Sequence, residues 1–466
     1  MKLKRIMIAA PKSGSGKTTI TCALLQALKD MGQQVVSCKC GPDYIDPMFH
    51  RQVIGVPSKN LDTFFTGEET TRELFLNGRT PDEFVVMEGV MGLFDGLGGI
   101  REEGSSYHLA KVTRTPIILV VDAKGMGRSV LPMIAGFLAY DTEKLIKGVI
   151  LNRMSKAYYD IVKPLIEEEL GICVAGYFPE NKNLTIESRH LGLQMPGELE
   201  GIAERLEEAA ETLEKTVSVE RIVEIASGAE DLEPVSDEAV KKASEKNKEA
   251  DELPIIAVAK DEAFCFYYED NLRLLREYGA GIRYFSPIHD SSLPKGCSAI
   301  LLGGGYPELY ARQLSANKAM HEAIRRAAAD EMPIVAECGG FMYLHSEITD
   351  KSGTCYQMAG VLPGTCHYTG KLVRFGYIEI NEQEEHFLPS GGRIRGHEFH
   401  YFDSTDNGGG CIATKPAAGR TYPCVISGRT YWLGFPHLYY PSNPAFAKSF
   451  VQMAAEYRKN KNSGIT

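Results

Sequence analysis

The sequence lacks several features that would place it in a specialised class of protein. Its eleven cysteines include no C-x-x-C pair, so we expect neither a tetrahedral metal site nor a disulfide framework. No apolar run reaches the roughly 18–20 residues that span a bilayer, and no repeat of solenoid period is present. The formal net charge is −10, with acidic and basic residues interleaved. The chain therefore has no general attraction for nucleic acid or anionic membranes, and small molecules are its expected partners.

The beginning of the chain resembles a secretory signal only superficially. "MKLKRIMIAAPKSGSGKTT" is basic and then apolar, but the apolar run is too short and a glycine-rich loop stands where a cleavage site should be. We predict that this segment forms the first β-strand of a cytoplasmic protein.

The remaining pattern indicates two α/β domains. A chain of 466 residues is too long for one core. In its first half, runs such as "RIMIAA", "VVSCKC" and "PIILVVDA" are continuously apolar, which is typical of parallel strands covered by helices on both faces. The sequence from 201 to 253 is rich in charge, and a second alternating pattern begins at Pro254. We predict domains at 1–200 and 254–466 and a charged helical linker at 201–253.

A phosphate-binding loop follows the first predicted strand. "PKSGSGKTT" has the spacing G-x-x-x-x-G-K-[ST], with Pro11 in place of the first glycine, and leads into a helix. Backbone N–H groups at such a helix start bind phosphate, while Lys17 contacts the β- and γ-phosphates and Thr18 offers a hydroxyl to Mg²⁺. A glycine turn without a ligand is the alternative. The predicted ATP-binding residues are Lys12, Ser13, Gly14, Ser15, Gly16, Lys17, Thr18, Thr19 and Asn152.

Carboxylates follow the strands of the same domain. Glu88 ends an apolar strand in "FVVMEGVMGLFDG", Asp95 follows a glycine-rich turn, and Asp122 ends another strand. Acids at strand C-termini line the crevice where open α/β sheets bind ligands. Glu88 is the best candidate for Mg²⁺, with turn capping as the alternative for each acid.

A loop after the second strand is the candidate substrate segment. "KCGPDYIDPMFH" crowds Asp43, Tyr44 and Asp46 among prolines at the same crevice edge. Asp43 is predicted to bind Mg²⁺ or to position an acceptor carboxylate, and an Asx turn is the alternative. Asp43, Tyr44, Asp46 and Asp95 are the predicted substrate-binding residues of this domain.

The second domain carries a candidate nucleophile. In "MPIVAECGGFMYL", Cys338 ends an apolar strand and precedes a helix, which is the pattern of a nucleophile elbow. The helix N-terminus is expected to favour a thiolate. The N–H group of Gly339 is one predicted oxyanion donor, and Gly304 and Gly305 of "LLGGGYPELY" supply the second. A packed, unreactive thiol is the alternative.

Histidines supply the candidate base. His437 in "GFPHLYYPSNP" follows an apolar strand and is predicted to activate Cys338, with a structural histidine as the alternative. In "RIRGHEFHY", strand alternation puts His397 and Phe399 on one face and Glu398 and His400 on the other. We predict that His397 and His400 contact substrate or a domain interface, and we keep a purely structural strand and a metal site as alternatives.

Taken together, these motifs resemble one family along nearly the whole chain. "SGSGKTT", "GPDYIDPMFH", "PSKNLDTF", "EGVMGLFDG", "GGGYPELY", "ECGGFMYL", "RGHEFHY" and "HLYYPSNP" occur in that order. The sequence is similar to the cobyrinate a,c-diamide synthase family, corrinoid-type glutamine amidotransferases related to cobyric acid synthases. The resemblance implies a P-loop, dethiobiotin-synthetase-like ATPase domain followed by a class I glutamine amidotransferase domain, both α/β. Lys12 stands where related deviant P-loops carry a lysine that reaches a neighbouring subunit, so a homodimer is also expected.

The same resemblance implies the reaction. ATP, with Mg²⁺, would phosphorylate the a- and c-acetate carboxylates of cobyrinate, and ammonia released from glutamine by Cys338 and His437 would attack the acyl phosphates. Typical class I amidotransferases have Glu two residues after the histidine, where this chain has Tyr439. Members without this Glu occur in the family, so a Cys–His dyad is implied, with the group that orients His437 unassigned.

Two other interpretations stay open at this point. One keeps the chemistry and changes the substrate to another tetrapyrrole, such as nickel sirohydrochlorin or hydrogenobyrinate, or to the other corrin side chains. The second is a P-loop switch or partitioning ATPase with a non-catalytic C-terminal binding module.

Overall fold

The computed structural model describes residues 1–181, 201–233 and 253–463. It divides the chain into two units, 1–237 and 238–466. Both are α/β folds built around a largely parallel sheet, as the continuous apolar runs predict. Among the described residues, no helix is both long and apolar enough to cross a membrane.

The first unit alternates strands and helices. Its strands are β1 (Lys4–Ala9), β2 (Gln34–Cys40), β3 (Ser58–Leu61), β4 (Glu83–Glu88), β5 (Ile117–Asp122), β6 (Ile146–Asn152) and β7 (Cys173–Phe178). Its helices are α1 (Lys17–Asp30), α2 (Ile45–Phe49), α3 (Thr63–Leu76), α4 (Ser106–Val112), α5 (Val130–Tyr140), α6 (Lys156–Leu170), α7 (Ile202–Thr216) and α8 (Val219–Ser227). A π-helical turn, His50–Ile54, continues α2.

All seven strands are parallel, in the order β3-β2-β4-β1-β5-β6-β7. The central strands are apolar because helices cover both faces of the sheet, and Ile117 to Val121 of β5 are buried without interruption. Strand β1 has β4 on one side and β5 on the other, so the strand order reverses there. Crevices at such reversal points are where open α/β sheets bind ligands, and the P-loop follows β1.

The first unit extends beyond its predicted end at residue 200. Helix α7 buries an apolar stripe that includes Leu206 and Leu213, and it packs on α1. Between α7 and α8, Ser218 donates its N–H to the Ala175 carbonyl of β7 at 2.8 Å. The first part of the predicted linker, 201–253, is therefore a folded layer of the first unit, because its helices carry an apolar face as well as charge. The rest of that prediction, 234–252, lies outside the described residues.

The second unit is richer in strands. Its strands are β8 (Ile255–Ala259), β9 (Phe264–Phe266), β10 (Gly281–Phe285), β11 (Cys297–Leu302), β12 (Gly304–Gly305), β13 (Ile334–Glu337), β14 (His345–Thr349), β15 (Cys355–Gln357), β16 (Leu362–Tyr368), β17 (Arg374–Glu382), β18 (Arg393–His400), β19 (Phe402–Ser404), β20 (Cys411–Thr414), β21 (Thr421–Cys424), β22 (Ile426–Gly428), β23 (Tyr431–Gly434) and β24 (His437–Leu438). Its helices are α9 (Glu269–Glu277), α10 (Ala311–Ala316), α11 (Lys318–Ala329), α12 (Gly339–Leu344) and α13 (Pro444–Asn462).

The main sheet of this unit has the order β10-β8-β11-β13-β23-β22, with only β22 antiparallel to its neighbour. A five-stranded sheet, β21-β20-β17-β18-β24, and a two-stranded one, β12-β9, complete the surroundings of the candidate nucleophile. Strands β13 and β23 are parallel neighbours, and Glu337 pairs with Gly434 at their C-terminal ends. The segments that follow them, with Cys338 and His437, therefore begin at the same sheet edge.

Candidate active sites

The P-loop of the first unit is held from behind by Asn152. Gly16 precedes α1 in a left-handed conformation, with a φ of 91°. The Asn152 side chain, at the end of β6, donates from Nδ2 to the Ser15 carbonyl at 2.7 Å. Residues Lys12, Ser13 and Gly14 form the exposed tip of the loop. The sequence grouped Asn152 with the nucleotide ligands, and the structure places it as a support for the loop backbone.

Lys17 lies at the start of α1, where a phosphate ligand of this type is expected. Its Nζ donates to the Met91 carbonyl at 2.5 Å, in the glycine-rich segment after β4. Burial and then the charge of Lys39 lower the pKa of Lys17 to about 8. Asp95 raises it slightly in return, and its Oδ2 accepts from the Gly92 N–H at 3.0 Å. Asp95 therefore closes the turn that faces the lysine.

A buried ionic cluster fills the space beside the loop. Thr18 donates from Oγ1 to Glu88 Oε1 at 2.6 Å, and Lys39 Nζ lies 3.0 Å from the same carboxylate oxygen. Lys39 also forms an ion pair with Asp46. Burial alone would lower the pKa of Lys39, but Asp46 and Glu88 raise it above the ordinary value. Lys39 is therefore charged, and it neutralises two carboxylates that would otherwise repel each other.

The carboxylates of this cluster have unequal proton affinities. Burial, followed by the charge of Asp46, raises the pKa of Glu88 to about 7. Burial also opposes ionisation of Asp46, but contact with Lys39 outweighs it and lowers the pKa of Asp46. His50 lies behind Glu88, with 3.5 Å between Nε2 and Oε2, and burial lowers its pKa to about 4. His50 is therefore neutral, and Lys39 is the cation of the cluster.

Lys39 and His50 were not singled out in the sequence. A charged residue inside the otherwise buried strand β2 was the available signal, because lysine is rarely buried without an acidic partner. His50 gave no such signal, since its contacts to Ser37 and Glu88 exist only in the folded chain.

The other predicted residues of this unit occupy distinct places. Asp43 Oδ1 accepts from the Ile45 N–H at 2.8 Å and forms an Asx turn before α2, which was the alternative interpretation. Tyr44 is buried at the start of that helix. Asp122 pairs with Arg153, with 2.8 Å between Oδ1 and Nε. The structure thus brings Thr18, Glu88 and Asp46 together around Lys39 and assigns Asp43 a local hydrogen-bonding role.

The donor set beside the P-loop fits Mg²⁺ held jointly with phosphate. Over residues 1–181, 201–233 and 253–463, no group of three or more His, Cys, Asp or Glu side chains could hold a metal unaided. Glu88 Oε2 and Asp46 Oδ1 are nevertheless buried oxygens that make no hydrogen bond, and the Thr18 hydroxyl lies beside Glu88. Mg²⁺ commonly takes one or two protein oxygens and completes its shell with water and phosphate.

In the second unit, Cys338 occupies a strained turn between β13 and α12. Its φ of 46° and ψ of −104° lie outside the regions that ordinary residues favour. Its N–H donates to the Gly434 carbonyl of β23 at 2.8 Å, which fixes the turn to the sheet. A Cβ atom at Gly340 would lie 2.2 Å from the Leu302 carbonyl oxygen. Glycine is therefore needed for this close approach, and the geometry is that of a nucleophile elbow.

The predicted oxyanion glycines surround this turn. Gly304 and Gly305 form β12, which is hydrogen-bonded to β9. The Gly305 nitrogen would lie 3.1 Å from a Cβ atom built at Gly339, so the two predicted donor segments are adjacent. A Cβ atom at Gly304 would lie 2.3 Å from His437 Cε1. The triple-glycine loop thus connects the surroundings of the cysteine with those of the histidine.

The thiol is protonated in this environment. Burial, followed by the charge of Glu308, raises the pKa of Cys338 well above its usual value. This differs from the thiolate expected at a helix start, because α12 has only six residues and carboxylates lie nearby. Burial raises the pKa of Glu308 to about 7 and that of the adjacent Glu337 to about 8. Attack on a substrate therefore needs a base to remove the thiol proton.

His437 is the candidate base. Burial and then the nearby His400 lower its pKa to about 3, so the ring is neutral before the reaction. Strand β24 places it opposite His397 of β18, and the two imidazole rings are stacked, with centroids 4.9 Å apart and planes 15° apart. The structure buries His397 against the candidate base, and its contact with substrate or a domain interface stays a prediction.

Glu398 and His400 lie on the opposite face of β18, as strand alternation predicts. Glu398 is buried and contacts Arg374 at 3.4 Å, Lys415 at 3.7 Å and the Tyr422 hydroxyl. His400 Nδ1 lies 2.7 Å from the Phe402 carbonyl, and its ring stacks on that of Phe435 with centroids 4.0 Å apart. His400 is therefore also buried, in a packed polar cluster, and its contact with substrate or a domain interface stays a prediction.

The fold and the two sites define a glutamine amidotransferase joined to a P-loop nucleotide-binding unit. Two family models match this division. A CobQ/CobB/MinD/ParA nucleotide binding domain covers residues 6–193, and a CobB/CobQ-like glutamine amidotransferase domain covers residues 255–418. The predicted fold class is thereby confirmed, and the chain is an enzyme of the amidotransferase type.

Relatives that match nearly the whole chain identify the family. A cobyrinate a,c-diamide synthase of Dehalococcoides mccartyi strain CBDB1 is 39% identical, with 98% of this chain and 99% of the relative covered. One from Caldanaerobacter subterraneus subsp. tengcongensis is 37% identical, with 97% and 98% covered. One from Priestia megaterium is 34% identical over the full length of both chains. The chain therefore belongs to the cobyrinate a,c-diamide synthase family, as its sequence motifs predicted.

Proposed function

We propose that this enzyme amidates the carboxylates of acetate side chains a and c of cobyrinate in cobalamin biosynthesis, using ATP and glutamine. The observation that supports the substrate is the full-length likeness to relatives with that name, which cover 98% and 100% of this chain. The observation that supports the chemistry is the presence of a P-loop and an elbow cysteine in one chain.

The first half of the reaction activates a carboxylate. Ammonia does not displace oxide from a carboxylate, so the γ-phosphoryl group of ATP is transferred to the carboxylate oxygen and ADP leaves. Lys17 would contact the β- and γ-phosphates, and the backbone of the loop that Asn152 supports would hold them in place. Ammonia then attacks the acyl carbon, the amide forms, and phosphate is released. The protein contributes mainly positioning and charge neutralisation.

Mg²⁺ belongs to this proposal as a partner of ATP. Thr18 and Glu88 would hold it, since the hydroxyl and the carboxylate are already in contact. When bound, the ion neutralises charge on the transferred phosphoryl group. Asp43, Tyr44, Asp46 and Asp95 remain the proposed acceptor-side residues of the same edge. The homodimer proposed from Lys12 is supported by the exposure of that lysine at the loop tip.

The second half releases ammonia. His437 takes the proton of Cys338, the sulfur attacks the side-chain amide carbon of glutamine, and N–H groups of Gly339 and of Gly304 or Gly305 stabilise the oxyanion. His437 then gives its proton to the leaving nitrogen, which departs as ammonia and leaves a glutamyl thioester. Water hydrolyses the thioester to glutamate and restores the thiol.

The substrate assay tests this function directly. Purified full-length enzyme is incubated with cobyrinate, ATP, Mg²⁺ and glutamine, and the corrinoid is analysed by mass spectrometry and NMR. We expect a product with amides at positions a and c, and equal amounts of ADP and amide. Parallel reactions contain nickel sirohydrochlorin or hydrogenobyrinate. If no cobyrinate diamide formed and another tetrapyrrole were amidated, the proposed substrate would be wrong and the proposed amidation chemistry would stand.

A partitioning or switch ATPase is not favoured. The relatives that carry both halves of the chain are named as synthases, and the second unit matches an amidotransferase domain rather than a binding module.

A further inference from the structure

We propose that His397 is the positioning residue of the glutaminase dyad and takes the place of the carboxylate that other class I amidotransferases have two residues after the catalytic histidine. This inference rests on the proposed function, in which Cys338 and His437 hydrolyse glutamine. It assigns a role to a residue outside the Cys–His pair and answers how His437 is oriented.

Tyr439, which occupies the usual position of the carboxylate, is hydrogen-bonded to a residue other than His437. Tyr439 is buried, and its hydroxyl donates to Asp270 Oδ2 at 3.1 Å. Asp270 is a buried carboxylate of α9 whose Oδ1 accepts from Arg273 Nε at 3.1 Å. A carboxylate is therefore present nearby, but its contacts are with Tyr439 and Arg273.

His397 contacts the base directly. Antiparallel pairing of β18 with β24 places His397 opposite His437, and the two rings lie nearly parallel, 4.9 Å apart. Rotation of the His437 ring about its Cβ–Cγ bond would break this stack, so the neighbouring ring restricts the plane of the base. The backbone of Gly304 approaches the same ring at Cε1.

His397 is in turn fixed by Tyr268. The Tyr268 hydroxyl lies 3.2 Å from His397 Nδ1. The Tyr268 ring packs edge-on against Tyr439 at 5.1 Å and against His397 at 6.3 Å. Tyr268 therefore contacts both His397 and Tyr439, and its hydroxyl helps to hold the ring of His397 in place.

The stacked, neutral ring of His397 performs both functions that the carboxylate has in a catalytic triad. The carboxylate of a triad orients the histidine and stabilises the imidazolium that forms when it accepts the proton. Burial, then the charge on His437, lower the pKa of His397, so His397 stays neutral beside a protonated His437. The face of a neutral aromatic ring attracts a cation, and this attraction is stronger in a desolvated site.

Two variants of His397 distinguish the contribution of its aromatic face from that of its hydrogen bond to Tyr268. His397→Phe keeps an aromatic face but cannot bond to Tyr268. His397→Gln keeps a polar side chain that can reach Tyr268, but it has no aromatic ring to stack on His437. We measure glutamate formation in the full-length enzyme with cobyrinate, ATP and Mg²⁺ present. Loss of the cation–ring attraction predicts that the Gln variant has a kcat about 10- to 30-fold below wild type, with KM for glutamine little changed, and that the Phe variant restores most of it.

Controls distinguish positioning from packing. His321 is a buried histidine of α11 that packs on Tyr343, and His321→Gln should leave kcat near wild type. Equal kcat values for the Phe and Gln variants, or a Gln variant as active as wild type, would overturn the role of His397. Cys338→Ala is assayed in parallel. If it kept glutaminase activity, the proposed function itself would fail, whatever the His397 variants showed.

Discussion

In the first unit, the buried carboxylates Asp46 and Glu88 lie against the ammonium group of Lys39. In the second unit, the buried histidines His397 and His437 lie against each other, and both rings are neutral. ATP brings a large negative charge to the site of phosphoryl transfer. A site whose buried carboxylates are already neutralised by an ammonium group is suited to bind it. Thiol catalysis requires a base that is unprotonated before the reaction, and burial of an uncharged imidazole provides it.

Mutations in the two units should have different effects on activity, because the second unit supplies ammonia and the first consumes it.

The largest expected effect concerns the nucleophile. Cys338→Ala should lower glutamine-dependent amidation by about 10⁴-fold or more, since no other step can form the thioester. Added ammonium chloride should still support amidation. Cys355→Ala, at an exposed cysteine of the same unit, is the control. Normal use of glutamine by Cys338→Ala would remove the nucleophile assignment.

A change in the P-loop should remove activity with both nitrogen sources. Lys17→Ala deletes the ammonium group expected to contact the β- and γ-phosphates, and amidation from glutamine or from ammonia should fall by about 10³-fold. Rates are measured as ADP release and amide formation. Lys111→Ala, at an exposed lysine of α4, controls for a general loss of positive charge. Unchanged ammonia-dependent turnover in Lys17→Ala would contradict the ATP site.

The charge cluster of the first unit makes a prediction about stability. Lys39→Met leaves Asp46 and Glu88 buried without their cation, and it should lower the free energy of unfolding of this unit by about 3 kcal/mol. Urea unfolding of the full chain is followed by circular dichroism. Trp432, the chain's single tryptophan, is buried in the second unit and provides a fluorescence reference that should not move. Lys111→Met, at an exposed ion pair, should have little effect. Equal stability of Lys39→Met and wild type would mean that the cluster holds fewer charges than inferred.

These buried contacts mark the limit of what the sequence could predict. The P-loop and the elbow at Cys338 were predicted because each is a contiguous pattern in which a strand, a glycine turn and a helix follow one another. The helices of the predicted linker pack on the first unit because Leu206 and Leu213 form an apolar stripe, and helical spacing alone does not tell which surface covers such a stripe. The roles of His397 and Lys39 depend on strand pairing and on side chains far away in the chain. A charge inside an apolar strand marks Lys39 as unusual, but it does not identify the partners. The roles of the individual site residues remain predictions, and the variants described here test them.

The close approach around His437 predicts a defect confined to the second unit. In Gly304→Ala, the new Cβ would lie 2.3 Å from His437 Cε1, so the base must shift. A displacement of about 1 Å can cost about 100-fold in rate, and we expect that loss in glutaminase kcat with ammonia-dependent amidation retained. Gly409→Ala, where an added Cβ meets nothing within 4 Å, is the matched control. Wild-type glutaminase activity in Gly304→Ala would show that the loop does not constrain the base.

Per pH unit, the smallest expected effect concerns a buried acid that takes no chemical step. Burial raises the pKa of Glu337 to about 8, from an ordinary 4.5. Between these values the folded state binds a proton that the unfolded state releases. The stabilising contribution is therefore complete below about pH 4.5 and is lost as the pH rises through 8, by about 1.4 kcal/mol per pH unit at most. Glu337→Gln keeps an acceptor for the Tyr440 hydroxyl, which lies 3.4 Å from the carboxylate, but it cannot titrate. Urea unfolding followed by Trp432 fluorescence should thus depend less steeply on pH in this variant than in wild type, whereas Glu384→Gln, at a side chain 82% exposed, should follow wild type. Parallel pH profiles for Glu337→Gln and wild type would show that Glu337 is ionised in the fold, and the contrast between a charge-compensated first site and a neutral second site would then no longer hold.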